Sequence, residues 1–307
     1  MTKLPERSRI YQNHHFDSTR WDYFALRDTD IIVATSYKAG TTWTQAIVAH
    51  LLFQDGHFPA PPAEMSPWLD MRIMPLEVIL NRLKAQNHRR FIKTHLPLDG
   101  MVYHPKIKYL YIARDARDVF MSLWNHYTGM REEFFMLMNG LPGRVGAELP
   151  HPPDSIHSFW KNWITKGGFD WEADGWPYWS HLSNVQSWWN FRHLPNIQLF
   201  HYSDMLENTE REMRRMAQFL EIDVAESAWP GIVKAVSFDE MKREGEKYAP
   251  GGGQFWKGGA QTFLYKGTNG RWRDVLSEQE LILYDHACQR TLTADCREWL
   301  ECGGRIA

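Results

Sequence analysis

Apolar residues along this chain fall into short runs rich in β-branched side chains, each followed by a stretch with helical spacing. Asp30-Ile-Ile-Val-Ala-Thr35 has no polar alternation, as expected of a strand buried on both faces of a parallel sheet. After a turn containing Gly40 comes Thr42 to Gln54, where Trp43, Ile47 and Leu51 share one helical face. The same order recurs. Arg90-Phe-Ile-Lys93 predicts a short strand, and Lys108-Tyr-Leu-Tyr-Ile-Ala113 a longer one that leads into a helix over Ala116 to Tyr127. Ile197-Gln-Leu-Phe-His-Tyr202 predicts another strand, followed by a helix whose start at Thr209 with Glu212 fits a capping box. Ser277 with Glu280 offers a second capping box, opening a C-terminal helix. Strands alternating with helices predict an α/β fold, a central parallel sheet with helices on both faces.

Two stretches interrupt this rhythm. Between residues 128 and 195 the pattern gives way to Gly, Pro and aromatic residues, including Leu141-Pro-Gly-Arg and His151-Pro-Pro-Asp, with seven tryptophans from Trp160 to Trp189. This reads as an insertion over a site. Its aromatics, taken singly, are core material; as a group they could line an apolar pocket. Pro250-Gly-Gly-Gly-Gln-Phe-Trp-Lys-Gly-Gly is too glycine-rich for regular structure and reads as a mobile loop.

Composition narrows the picture. With 307 residues, 43% hydrophobic and 23% charged, the chain has the material for a sizeable core, and one domain over residues 1–307 is the expectation. A net charge of −2 gives no broad positive field, which argues against nucleic acid as a partner and makes any anion site local. Cys288, Cys296 and Cys302 lack metal-site spacing and read as reduced structural thiols. No stretch approaches the ~18 apolar residues of a transmembrane anchor, and the first residues lack the apolar core of a signal peptide. Together these imply a cytoplasmic protein.

The chemistry concentrates at Thr35-Ser-Tyr-Lys-Ala-Gly-Thr-Thr-Trp43, where a buried strand turns into a helix. Unpaired amides at a helix start carry the positive end of the helix dipole and bind phosphate or sulfate. Lys38 adds a full charge, Thr41 and Thr42 add hydroxyls, and Gly40 permits close backbone approach. A Walker A loop instead places its Lys directly after the second Gly and its next Ser or Thr on magnesium. Here Lys38 precedes Gly40, and the strand ending at Ala113 meets Arg114 where a metal-binding Asp would be sought. Cations and amides thus stand where a kinase would use a metal.

This loop resembles the 5′-phosphosulfate loop of cytosolic-type sulfotransferases, T-Y-P-K-S-G-T-T-W, departing from it at Ser36, Tyr37 and Ala39. Tyr111-Ile-Ala-Arg114 with Ser122 eight residues after the Arg resembles the family's 3′-phosphate segment, and Arg is suited to a bidentate grip on phosphate. Lys93-Thr-His95-Leu-Pro97 resembles the segment in which the family's His is the catalytic base and its Lys helps to hold the transferring group. Looser matches place Tyr202 and Phe238 beside the adenosine, and Tyr265-Lys266-Gly267 in the C-terminal R-K-G-x-x-G-D-W loop, with Tyr265 in place of the Arg.

The resemblance covers roughly residues 30 to 275 and implies a P-loop-like three-layer fold. It implies transfer of a sulfuryl group from 3′-phosphoadenosine 5′-phosphosulfate (PAPS) to a hydroxyl or amine of a small acceptor. His95, Lys38 and Lys93 would be the catalytic residues, and Lys38, Ala39, Gly40, Thr41, Thr42, Trp43, Arg114, Ser122, Tyr202, Phe238, Lys266 and Gly267 the nucleotide contacts. No metal is expected. The family's C-terminal dimer motif finds no clear match, so a homodimer stays open. The many tryptophans and phenylalanines point to a phenol, a sterol-like alcohol or a lipid-like acceptor. The rival reading is a P-loop nucleoside or nucleotide kinase using ATP and magnesium.

Overall fold

A computed structural model describes residues 3–306. Its four strands, β1 (Ile31–Thr35), β2 (Phe91–Thr94), β3 (Lys108–Ala113) and β4 (Ile197–His201), form one parallel sheet in the order β2-β1-β3-β4. Successive residues alternate between faces, so each strand feeds two cores. Ile31, Val33, Phe91, Leu110 and Ile112 pack with Ile47, Val48 and Leu51 of helix α1 (Thr41–Leu52) and with Met213, Met216 and Leu220 of the Thr209–Leu220 helix. Ile32, Ala34, Ile92, Tyr109 and Tyr111 face the larger, aromatic core on the other side. Both faces are covered, which is why Ile31–Ala34 of β1 reads without polar alternation.

Strand order places the site. From β1 the chain moves first to β2 on one side and then to β3 on the other, leaving a crevice at the carboxyl ends of β1 and β3 where ligands bind in open parallel sheets. Thr35 and Arg114 sit at those two ends. Below them, at the opposite edge, buried Arg90 donates through Nε to Asp30 (2.8 Å) and ties the starts of β1 and β2 together.

The structure corrects four expectations. The helix after β4 begins at Thr209 as read, but its cap is Asn208, whose side chain accepts from the Arg211 amide, while Glu212 pairs with Arg211 and Arg215. A short helix, Tyr202–Glu207, occupies the gap that pattern alone left as strand end and loop. Residues 128–195 hold three helices, Glu132–Gly140, Ile156–Thr165 and His181–Trp189, and Trp160, Trp163, Trp188 and Trp189 are core. The glycine-rich run also has local order: Pro250–Gly253 forms a 3₁₀ turn, and buried Trp256 donates to the His126 carbonyl. The Ser277–Glu280 capping box is present as read. No helix among the described residues is long and apolar enough to cross a membrane.

Candidate active site

Gly40 caps α1 with φ 109°, a left-handed conformation that costs glycine little. A Cβ there would sit 2.9 Å from the Tyr202 ring, so the backbone approaches that ring as only glycine allows. No side chain caps the helix, and among the described residues the amides of Thr41, Thr42 and Trp43 meet no backbone acceptor. The start of α1 is therefore open to an anion. Lys38 itself lies at φ 59°, unusual for a residue with a side chain and the kind of local strain that functional loops hold.

The loop opens into a cavity of about 760 Å³ that Lys38, Thr41, Thr42, Trp43, Lys93, His95, Arg114, Ser122, Tyr202, Phe238, Lys266 and Gly267 all line. These residues come from seven separate segments, yet share one chamber. Ala39 does not: its methyl is buried in the aromatic core, and only its backbone could reach a ligand. Thr41 turns its hydroxyl to Thr35 Oγ1 (2.6 Å), which leaves Thr42 as the freer donor.

At one end of the chamber Arg114 donates to Lys38 O (3.3 Å), Asn269 Oδ1 (3.0 Å) and Thr268 O (2.9 Å), and its guanidinium lies 4.4 Å from the centre of the Tyr202 ring. Tyr202 in turn donates to the Gly267 carbonyl (3.1 Å), and the Phe238 ring lies against Gly267. Val236 accepts from the Trp43 indole (2.8 Å) through its carbonyl, so backbone ties this segment to the start of α1. Arg271, inside the matched C-terminal loop, lines the same cavity; its Nε is buried without a partner among the described residues, and the side chain packs beside Tyr265.

At the other end lies His95. His95 Nδ1 is 2.8 Å from the Thr35 carbonyl, which only accepts, so the ring proton sits on Nδ1 and Nε2 carries the free lone pair. Burial, reinforced by the Lys93 charge, holds its pKa well below the usual value, so the imidazole is neutral at pH 7. Asn184 fixes this segment by donating to the His95 carbonyl (2.8 Å) while accepting from Tyr111. Thr94, between Lys93 and His95, points the other way and donates to Asp70 (2.5 Å), as strand alternation requires.

Three clustered cations set the electrostatics. Burial lowers Lys38 to about 7, with Arg114 and Lys93 adding repulsion, and burial lowers Lys93 to about 8 against the pull of Asp70. Lys93 rests over the Trp68 ring (4.6 Å), and Lys38 Nζ lies 3.0 Å from His126 Nδ1. A polyanion would relieve this repulsion. His126 escaped the sequence reading although it stands four residues after Ser122, one turn along the same helix. Trp68 and His15, both lining the chamber, carry no local signal because they arrive from loops far away in sequence.

Fold and site thus define an α/β protein whose P-loop-like cradle meets a buried, neutral histidine and two lysines in one aromatic chamber. A sulfotransferase-domain family model matches residues 28–296, and the chain belongs to that family. It is 31% identical over 96% of its length to a glycolipid sulfotransferase of Mycobacterium bovis, covering 95% of that protein. It is 28% identical to sulfotransferase 1A1 of Rattus norvegicus, over 89% of this chain and 87% of the relative. Mouse sulfotransferase SULT7A1 complexed with PAP shares the fold (TM-score 0.68, 19% identity, 91% of each chain). So does retinol dehydratase in complex with androsterone and inactive cofactor PAP (TM-score 0.64, 23% identity, 90% of this chain and 84% of that one). The chain is accordingly an enzyme of the sulfotransferase class, and the kinase reading is not favoured.

Proposed function

We propose that this enzyme moves the sulfuryl group of PAPS onto a hydroxyl, or an amine, of a small acceptor with an apolar body. The observation that carries the reading is the shared chamber: uncapped α1 amides and Lys38 at its centre, Arg114 and Ser122 at one end, Lys93 and His95 at the other. The 5′-phosphate fits the amides of Gly40 to Trp43 with Thr42. Arg114, Ser122 and Lys266 suit the 3′-phosphate, and Arg271, with its free Nε, supplies the guanidinium that Tyr265 lacks. Trp43, Tyr202 and Phe238 offer aromatic surface to the adenosine. PAP in the two structural relatives is consistent with this assignment.

When bound, PAPS supplies an activated sulfuryl group with a phosphate as its leaving group. The chain's part is positioning and charge, as suits a loose transition state. His95 takes the acceptor's hydroxyl proton at Nε2. Lys38 neutralises charge on the departing phosphate side, and Lys93 on the transferring group. Trp68, Trp179, Phe134 and Trp256 line the acceptor side and keep water away.

The direct test is sulfuryl transfer from labelled PAPS to a panel of phenols, sterols and alkyl alcohols, run with a chelator present. Transfer is expected to continue unchanged by the chelator, and ATP with magnesium to give no product. Magnesium-dependent phosphorylation in place of sulfation would overturn the proposal.

A further inference from the structure

A second histidine faces the acceptor half of the chamber, and its hydrogen-bonding state can be read from its neighbours. His14 Nε2 lies 2.8 Å from the Pro177 carbonyl, so that nitrogen carries the proton and donates. Burial pushes His14 down to about 4, which makes the ring neutral and leaves Nδ1 as an acceptor. His15 Nδ1 is 2.8 Å from it and must therefore be the donor. His15 is neutral too, held well below its ordinary pKa by burial and by the neighbouring His14 and His95. Its Nε2 is then a bare lone pair. That nitrogen makes no hydrogen bond among the described residues and belongs to a side chain lining the chamber.

His15 and His95 flank the same two rings. His95 stands 4.5 Å from Trp68 and 5.9 Å from Trp179, and His15 stands 6.3 Å from each. Phe134 and Tyr178 also pack on the His15 ring, at 6.0 and 4.8 Å between centroids, and none of these neighbours donates to its Nε2. An acceptor nitrogen held in one tautomer among aromatic rings has a use only if the ligand brings a donor, because an apolar ligand there would strip it of water without compensation. One hydroxyl is already matched by His95.

We propose that His15 is a specificity residue which accepts a hydrogen bond from a second hydroxyl of the acceptor, so that the preferred acceptor class is a polyol or sugar head group on an apolar body. His14 is a positioning residue that fixes the His15 tautomer from behind. The proposal rests on the sulfotransferase chemistry above and narrows its acceptor.

Binding of two probes with the same chain length, n-octyl β-D-glucopyranoside below its micelle-forming concentration and 1-octanol, tests it through quenching of tryptophan fluorescence, with and without PAP. Wild type is expected to bind the glucoside at least about 5- to 10-fold more tightly, the worth of one buried hydrogen bond. His15→Phe, which keeps a ring in place, should abolish that preference: glucoside binding weakens, octanol binding becomes no weaker because no bare nitrogen is left to desolvate, and PAP affinity is unchanged. His15→Gln, which returns an acceptor oxygen, should restore part of it. Equal binding of both probes by wild type, or an unchanged preference in His15→Phe, overturns the proposal. Failure of PAP to bind would instead count against the nucleotide reading, since the comparison without PAP stands apart from it.

Discussion

Replacing His95 with alanine is expected to lower kcat by about 10²- to 10⁴-fold, the usual worth of a general base, while leaving PAP affinity and the folded state intact. The proton is on Nδ1, bound to the Thr35 carbonyl, and Nε2 is free in the chamber. The ring is neutral because burial and two nearby lysines oppose its charging. It is thus a ready base over the whole neutral range. Its removal takes away no cation, so the nucleotide end should not notice. The checks are steady-state rates under saturating PAPS, calorimetric PAP binding and a thermal melt. Turnover within a few-fold of wild type, or a parallel loss of PAP binding, would contradict the role.

Lys38→Ala is the second large effect, a loss of about 10²- to 10³-fold in kcat, as when one preorganised charge is removed from a developing anion. Here nucleotide binding should weaken as well, because the ammonium serves bound phosphate and leaving group alike. Burial together with Arg114 and Lys93 holds Lys38 near 7 in the empty site. A bound polyanion favours the charged form and raises that value, so at pH 8 binding takes up protons and affinity falls as pH rises above 7. Calorimetry in buffers of different ionisation enthalpy should show proton uptake in wild type and less of it in Lys38→Ala. The variant should melt no lower than wild type when empty, since it removes a like-charge neighbour of Arg114 and Lys93. Proton release on binding, or full activity in the variant, would count against this assignment.

The sheet and the phosphate loop were legible because both are local: β3 is bounded as its apolar run predicts, and Lys38-Ala-Gly40 lies between a buried strand and a helix start. Lys93 and His95 were legible for the same reason, two residues apart on extended chain. Residues 128–195 hid their helices because proline and glycine separate segments as short as nine residues, too brief for a helical period to show. Seven tryptophans there could not declare from sequence which face they present; Trp160 and Trp188 are core, whereas Trp179 meets the chamber. His15, Trp68 and Arg271 join the site through tertiary contacts alone. Arg271 lay inside a segment already matched to the family, and the signal was the pairing of a missing Arg at position 265 with an added one at 271.

A calorimetric titration of the wild-type enzyme with PAP, set beside adenosine 5′-monophosphate, goes most directly to whether Lys38, Arg114, Ser122 and the α1 amides form one two-ended anion cradle. PAP should bind at least about 10-fold more tightly than the monophosphate, as expected when the 3′-phosphate gains charge-assisted hydrogen bonds. Equal affinity for the two nucleotides, or no binding of PAP, would contradict it.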